Sequence, residues 1–150
     1  HLAKAIGTWS GKNKMWMAPN TEPMETQCTA TVSTLMDGKY LKCEMTGDMP
    51  GMGPFNGLGI TAFDNVSQKF QGSWIDNMST GIMYGTGELS PDGKTLTWNY
   101  TVNCPILKKP VTMREVDTAL GPGKKKIEMF STDPKSGKEF KMMAVELTKK

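Results

Sequence analysis

Ten short runs in which apolar and polar residues alternate, each parted from the next by turn chemistry, constrain this chain more than any other feature. Period two sends successive side chains to opposite faces of a strand, so each run offers one face to a core and one to water. The runs cover residues 8–17, 25–36, 39–47, 55–64, 68–76, 79–89, 94–103, 110–118, 124–132 and 138–148. Asp37-Gly38, Asp64-Asn65, Ser90-Pro91-Asp92-Gly93, Gly121-Pro122-Gly123 and Pro134-Lys135-Ser136-Gly137 stand in the gaps, and all are turn-forming residues. Only Leu2 to Ile6 suits a helical turn. The expectation is an all-β chain, residues 1–150 forming one domain: an antiparallel ten-stranded barrel with a short N-terminal helical turn. A closed sheet of that size has room for more than its own side chains.

A chain of 150 residues buries roughly two-thirds of its unfolded surface and needs no disulfides to do so. If Asp37-Gly38 is a two-residue turn, Val32 lies opposite Cys43, and Cys28 sits four residues further along the same face. That separation is roughly 13 Å, beyond the roughly 7 Å between Cα atoms that a disulfide spans. Free, inward thiols are expected.

The net charge of +3 arises from 18 basic residues scattered among 15 acids. The basic runs are short, Lys124 to Lys126 and Lys149-Lys150 among them, which argues against a nucleic-acid surface, where cations cluster and aromatics interleave. No stretch nears the roughly 20 apolar residues of a membrane span. The chain opens at His1 without a cationic, apolar leader, so an export signal is expected to be absent or already removed, and the compartment stays open.

Period two sorts the interior. Leu96, Trp98, Tyr100 and Val102 share one face of their run, and a four-residue turn at Ser90 to Gly93 would set Gly85 opposite Trp98 and Gly81 opposite Val102. Small residues facing large ones let the wall interdigitate. The other hairpins bring Cys28, Ala30, Val32, Leu41, Cys43 and Met45 to one inward patch, Phe70, Trp74 and Asp76 to a second, and Ile127, Met129, Phe140, Met142 and Ala144 to a third. Such a lining suits a small apolar or amphipathic ligand held inside, with Trp9, Met45, Trp74, Trp98, Tyr100 and Met142 as wall and Asp76 or Arg114 orienting it. The competing arrangement is a barrel plugged by its own methionines and tryptophans.

Methionine is over-represented, with 13 residues. The segment Gly47-Asp48-Met49-Pro50-Gly51-Met52-Gly53-Pro54 is too rich in Gly and Pro for a strand. It reads as a flap over the barrel mouth, or as a soft-sulfur site in which Met45, Met49 and Met52, with Met15 or Met17, hold Cu(I), or as gap-filling. The single arginine, Arg114, invites a task that a lysine cannot do: a forked pair with a carboxylate or a stack on a ring. An interior pair with Asp76 or Glu146 is one candidate, an exposed arginine another.

Catalysis leaves no constellation. The only histidine is His1, and there is no cluster of metal ligands or nucleophile elbow. Asp76, Glu146, Tyr84 and Cys43 are the groups that acid–base or nucleophilic work would use, and no cofactor is implied. Asn65, Asn77 and Asn99 open Asn-x-Ser/Thr triplets that composition alone accounts for.

Gly7-Thr8-Trp9, Met15-Trp16, Glu22-Pro23-Met24, Gly57-Leu58-Gly59 leading to Asp64-Asn65, and Trp74-Ile75-Asp76-Asn77-Met78-Ser79-Thr80-Gly81 resemble the bacterial family catalogued as domain of unknown function 1579. The likeness spans nearly the whole chain. More distantly, the Gly-x-Trp opening before an antiparallel meander resembles the calycin group of lipocalins, fatty-acid-binding proteins and haem-binding nitrobindins. The resemblance implies a lipocalin-like barrel and carries over no catalytic residue. It also implies Arg114 stacked on or near Trp9 at one barrel end. The haem histidine of the nitrobindins has no counterpart, since His1 precedes the barrel.

Overall fold

The computed structural model describes residues 1–104 and 107–150. A 3-10 turn, Leu2–Ala5, precedes ten strands: β1 Gly7–Met15, β2 Met24–Leu35, β3 Tyr40–Met49, β4 Gly53–Asp64, β5 Lys69–Asp76, β6 Met83–Leu89, β7 Thr95–Cys104, β8 Lys109–Gly121, β9 Lys124–Thr132 and β10 Glu139–Lys149. Each strand pairs antiparallel with its sequence neighbours, and β1 pairs with β10, so the ring is a closed barrel. Closure leaves no sheet edge unpaired. The expected fold class is thus the observed one. Among the described residues, no helix is long and apolar enough to cross a membrane.

Turn chemistry fixes the registers. Asp37 and Gly38 both take positive φ, 58° and 83°, which a tight hairpin demands at its two central positions, and Val32 faces Cys43 as expected. All three cysteines are free.

Three local expectations fail, each for a reason of register. The β6–β7 connection is longer than four residues: pairing ends at Leu89 and Leu96, and the Ser90 N–H donates to the Thr95 carbonyl at 2.8 Å. Gly87 therefore faces Trp98 and Gly85 faces Tyr100. The shift is by two residues, so the inward face is kept.

The supposed flap is also mostly strand. β3 and β4 pair through Asp48–Pro54 and Met49–Gly53, leaving only residues 50–52 outside the ladder. Gly51 and Gly53 adopt φ of 78° and 88°, conformations open to glycine, and so the hairpin closes tightly.

On β10 a bulge between Lys141 and Met143 shifts the pairing by one residue and flips the following side chains. Met143, Val145 and Leu147 face inward, whereas Ala144 lies outside between Lys14 and Glu128.

The buried core divides in two. One cluster gathers Trp9, Cys28, Ala30, Val32, Leu41, Val145 and Leu147; the other gathers Phe70, Leu96, Trp98, Tyr100 and Met113. Leu2 packs against both, and the Ala5 carbonyl accepts the Trp9 indole N–H at 2.8 Å. The 3-10 turn thereby closes the barrel end where the β2–β3, β4–β5, β6–β7 and β8–β9 turns lie.

Candidate functional site: the barrel interior

Glycines decide how the aromatic wall lies. Gly57 and Gly59 of β4 sit beneath the Trp74 ring, where a Cβ at Gly59 would come within 2.9 Å of the indole. A Cβ at Gly87 would stand equally close to Trp98. With no side chain in these places, the indoles lie along the wall instead of crossing the centre. Trp98 and Tyr100 stack, with ring centroids 5.5 Å apart and planes 18° from parallel, and Phe70 meets Trp98 edge to face at 6.4 Å.

The interior between the two clusters is not solid. Cys43, Met45, Glu115, Ile127, Met129 and Met143 point inward by register and still keep accessible surface. Residues ringed by strands can do so only by bordering a space that water enters. Two concavities lie outside it: a groove of about 510 Å³ on the outer face around Tyr40, Ile60, Gln71 and Tyr84, and a cleft of about 700 Å³ at the rim between the β1–β2 and β9–β10 connections.

The ionisable groups of this space come from strands on both sides. On β8, Glu115 and Asp117 share the inward face with Met113. Lys125 of β9 reaches Asp117 at 3.0 Å and lies 5.5 Å from the Trp9 ring centre. Glu115 stands beside Trp98 on β7 and Met129 on β9, and no described side chain makes a hydrogen bond or ion pair with it. Burial, reinforced by the charge of Asp117 and partly offset by Lys125, pushes its carboxyl up to about 7. Near neutral pH it is therefore poised between acid and carboxylate.

The same field reaches across the barrel. Burial raises the Tyr100 phenol, and Glu115 and Asp117 add to the effect; it stays a neutral hydroxyl. Burial likewise raises the Cys43 thiol, an effect that Lys125 eases and Glu115 reinforces, so the thiolate that nucleophilic work requires is suppressed.

The residues expected to form the site divide. Trp9, Met45, Trp74, Trp98, Tyr100 and Met142 all pack into the interior or its two clusters. Asp76 is inward but engaged: it accepts the Trp74 indole N–H at 3.1 Å and the Met78 N–H at 3.0 Å. Its neighbour Asn77 clasps β4, donating to the Pro54 carbonyl and accepting the Asn56 N–H, both at 2.8 Å. The Trp-x-Asp-Asn stretch is thus a brace that holds Trp74 flat.

Arg114 is elsewhere. It projects from the outer face of β8, forks onto Glu139 at 2.6 and 3.2 Å, and lies 4.1 Å from the Phe130 ring centre. The cations over Trp9 are Lys125 and Lys149, each at 5.5 Å. Glu146 and Tyr84 are exposed. Met52 and Met17 are exposed as well, whereas Met45 packs against the Trp9 cluster.

Glu115, Asp117 and Lys125 were the residues missed. The signal was present in the phase of Val111 and Met113, which carries Glu115 and Asp117 inward, and in Ile127 and Met129, which carry Lys125 with them. The outer Val116 and the lone arginine obscured it.

Fold and site define a closed antiparallel barrel with an acid, an ion pair, a phenol and a thiol in its interior. The family model described as "Protein of unknown function (DUF1579)" matches residues 1–149, and the chain belongs to that family. No curated protein matches it. Among solved structures, the crystal structure of Rv2717c from M. tuberculosis is similar, with a TM-score of 0.74 at 12% identity, covering 99% of this chain and 94% of that one. The S-type phycobiliprotein lyase CPES from Guillardia theta is similar too, with a TM-score of 0.65 at 8% identity over 99% of this chain and 90% of the other. At these identities the likeness is one of fold.

Proposed function

We propose that the barrel binds a small amphipathic molecule in its interior. The observation that carries this reading is the accessible surface kept by inward residues between two separate apolar clusters. Trp9, Trp74, Trp98, Met45 and Met142 would take the apolar body, and Tyr100 with the β8–β9 ionisable groups would take the polar end. Burying a small chain against aromatic and thioether walls is favourable at roughly 25 cal/mol per Å² of apolar surface. The closed end, sealed by the 3-10 turn, would direct entry through the opposite rim.

Titration of a panel of single-chain amphiphiles against tryptophan fluorescence tests the proposal. Three of the four tryptophans face the interior, so a Trp16→Phe variant isolates their response. A saturable change retained in that variant is expected. A flat response to every amphiphile would defeat the reading.

A further inference from the structure

We infer that the polar end of the ligand is a cationic or neutral hydrogen-bond donor, such as an amine or alcohol, which the Glu115 carboxyl anchors, and is not a free carboxylate. This inference rests on the interior-binding reading above and specifies its ligand class. Three observations support it. First, Lys125 is already committed: its ammonium lies 3.0 Å from the Asp117 carboxylate, which leaves no free charge for an anionic head there. Second, Glu115 has no protein partner among the described side chains, although it is enclosed by β7 and β9 and borders the accessible interior. An unpaired acid in such surroundings is costly, and a donor brought by a ligand relieves the cost.

Third, the sum of charges is unfavourable to anions. The groups that face Glu115 are Asp117 on its own strand, Lys125 on β9, Tyr100 on β7, and Cys43 across the barrel on β3. The phenol and thiol are neutral, and Lys125 cancels Asp117. Ionised Glu115 thus leaves these five groups with one net negative charge. A carboxylate head would be desolvated beside two others, whereas an ammonium or hydroxyl would find an open acceptor. Lys149 lies over Trp9 at the sealed end, beside Gly7.

The test compares decylamine, decanol and decanoate, each below its micelle concentration, by tryptophan fluorescence at pH 6 and pH 8. At pH 8 decylamine is expected to bind at least about tenfold more tightly than decanoate, the weight of one charge-assisted hydrogen bond. Its advantage over decanol should shrink at pH 6, where Glu115 is largely protonated. Glu115→Gln, which keeps the shape, should abolish the pH dependence and bring the amine to within about threefold of the alcohol. A folded Glu115→Ala variant, checked by circular dichroism, provides a second reading of the same loss. If decanol saturates but the amine has no advantage over decanoate, or if Glu115→Gln leaves the preference intact, the inference is overturned and the interior-binding reading stands. If none of the three saturates, both fall.

Discussion

On the inner face of β8, Asp117 holds Lys125 at 3.0 Å with the two side chains 22% and 17% exposed; on the outer face of the same strand, Arg114 holds Glu139 at 2.6 Å with 35% and 51% exposed. The outer pair has the better geometry, since it forks and its guanidinium also lies on Phe130. The inner pair is nevertheless the more consequential. Water screens the outer charges and can replace either partner, whereas removal of one inner partner strands the other where solvation is poor. One strand therefore uses the same chemistry twice, once as surface decoration and once to set the potential of an enclosed space.

The largest expected effect tests the inner pair directly. Lys125→Met should lower unfolding stability by about 3 kcal/mol, read by denaturant titration, because Asp117 is left uncompensated beside Glu115. A loss as small as that of an exposed pair would show that the interior is as wet as bulk water. Next in size is the wall itself. Gly59→Ala pushes a methyl against the Trp74 ring and should cost about 2 kcal/mol, with a shifted tryptophan emission.

A smaller effect, of opposite sign, concerns Glu115. Its folded value of about 7 lies above the ordinary 4.5, so the folded state holds the proton more tightly than the unfolded one. Stability should therefore fall as pH rises between those values and level off above them. Glu115→Gln should remove that fall and leave the variant about 1–2 kcal/mol more stable than the parent above neutral pH, less than the full weight of the shift because water reaches part of the side chain. A parallel pH profile in parent and variant would refute the assigned environment. The smallest effect is on the outer face: Arg114→Gln should cost less than about 1 kcal/mol and leave amphiphile binding unchanged.

The comparison also explains what was legible. Thr95 to Val102 announced a strand and its inward face because its apolar phase is unbroken, and the same phase rule sets every hairpin whose turn carries its own signature, as Asp37-Gly38 does. β8 was legible as a strand but not as a wall. Its inner face mixes Val111 and Met113 with two acids, its outer face includes Val116, and the singular Arg114 drew attention to the wrong side. On β10, one extra residue at the bulge reversed the faces beyond it, and no local pattern distinguished Ala144 from Val145 as the buried one.

The sequence by itself determined ten antiparallel strands, most of their registers and the aromatic side of the wall, because period-two alternation and turn residues act over a few positions. The tertiary structure alone decided that Glu115, Asp117, Lys125, Tyr100 and Cys43 share one interior, that Arg114 does not, and that the glycines of β4 and β6 lay the indoles flat. Those outcomes depend on barrel closure, and the fields and close contacts that result act between residues far apart in the chain.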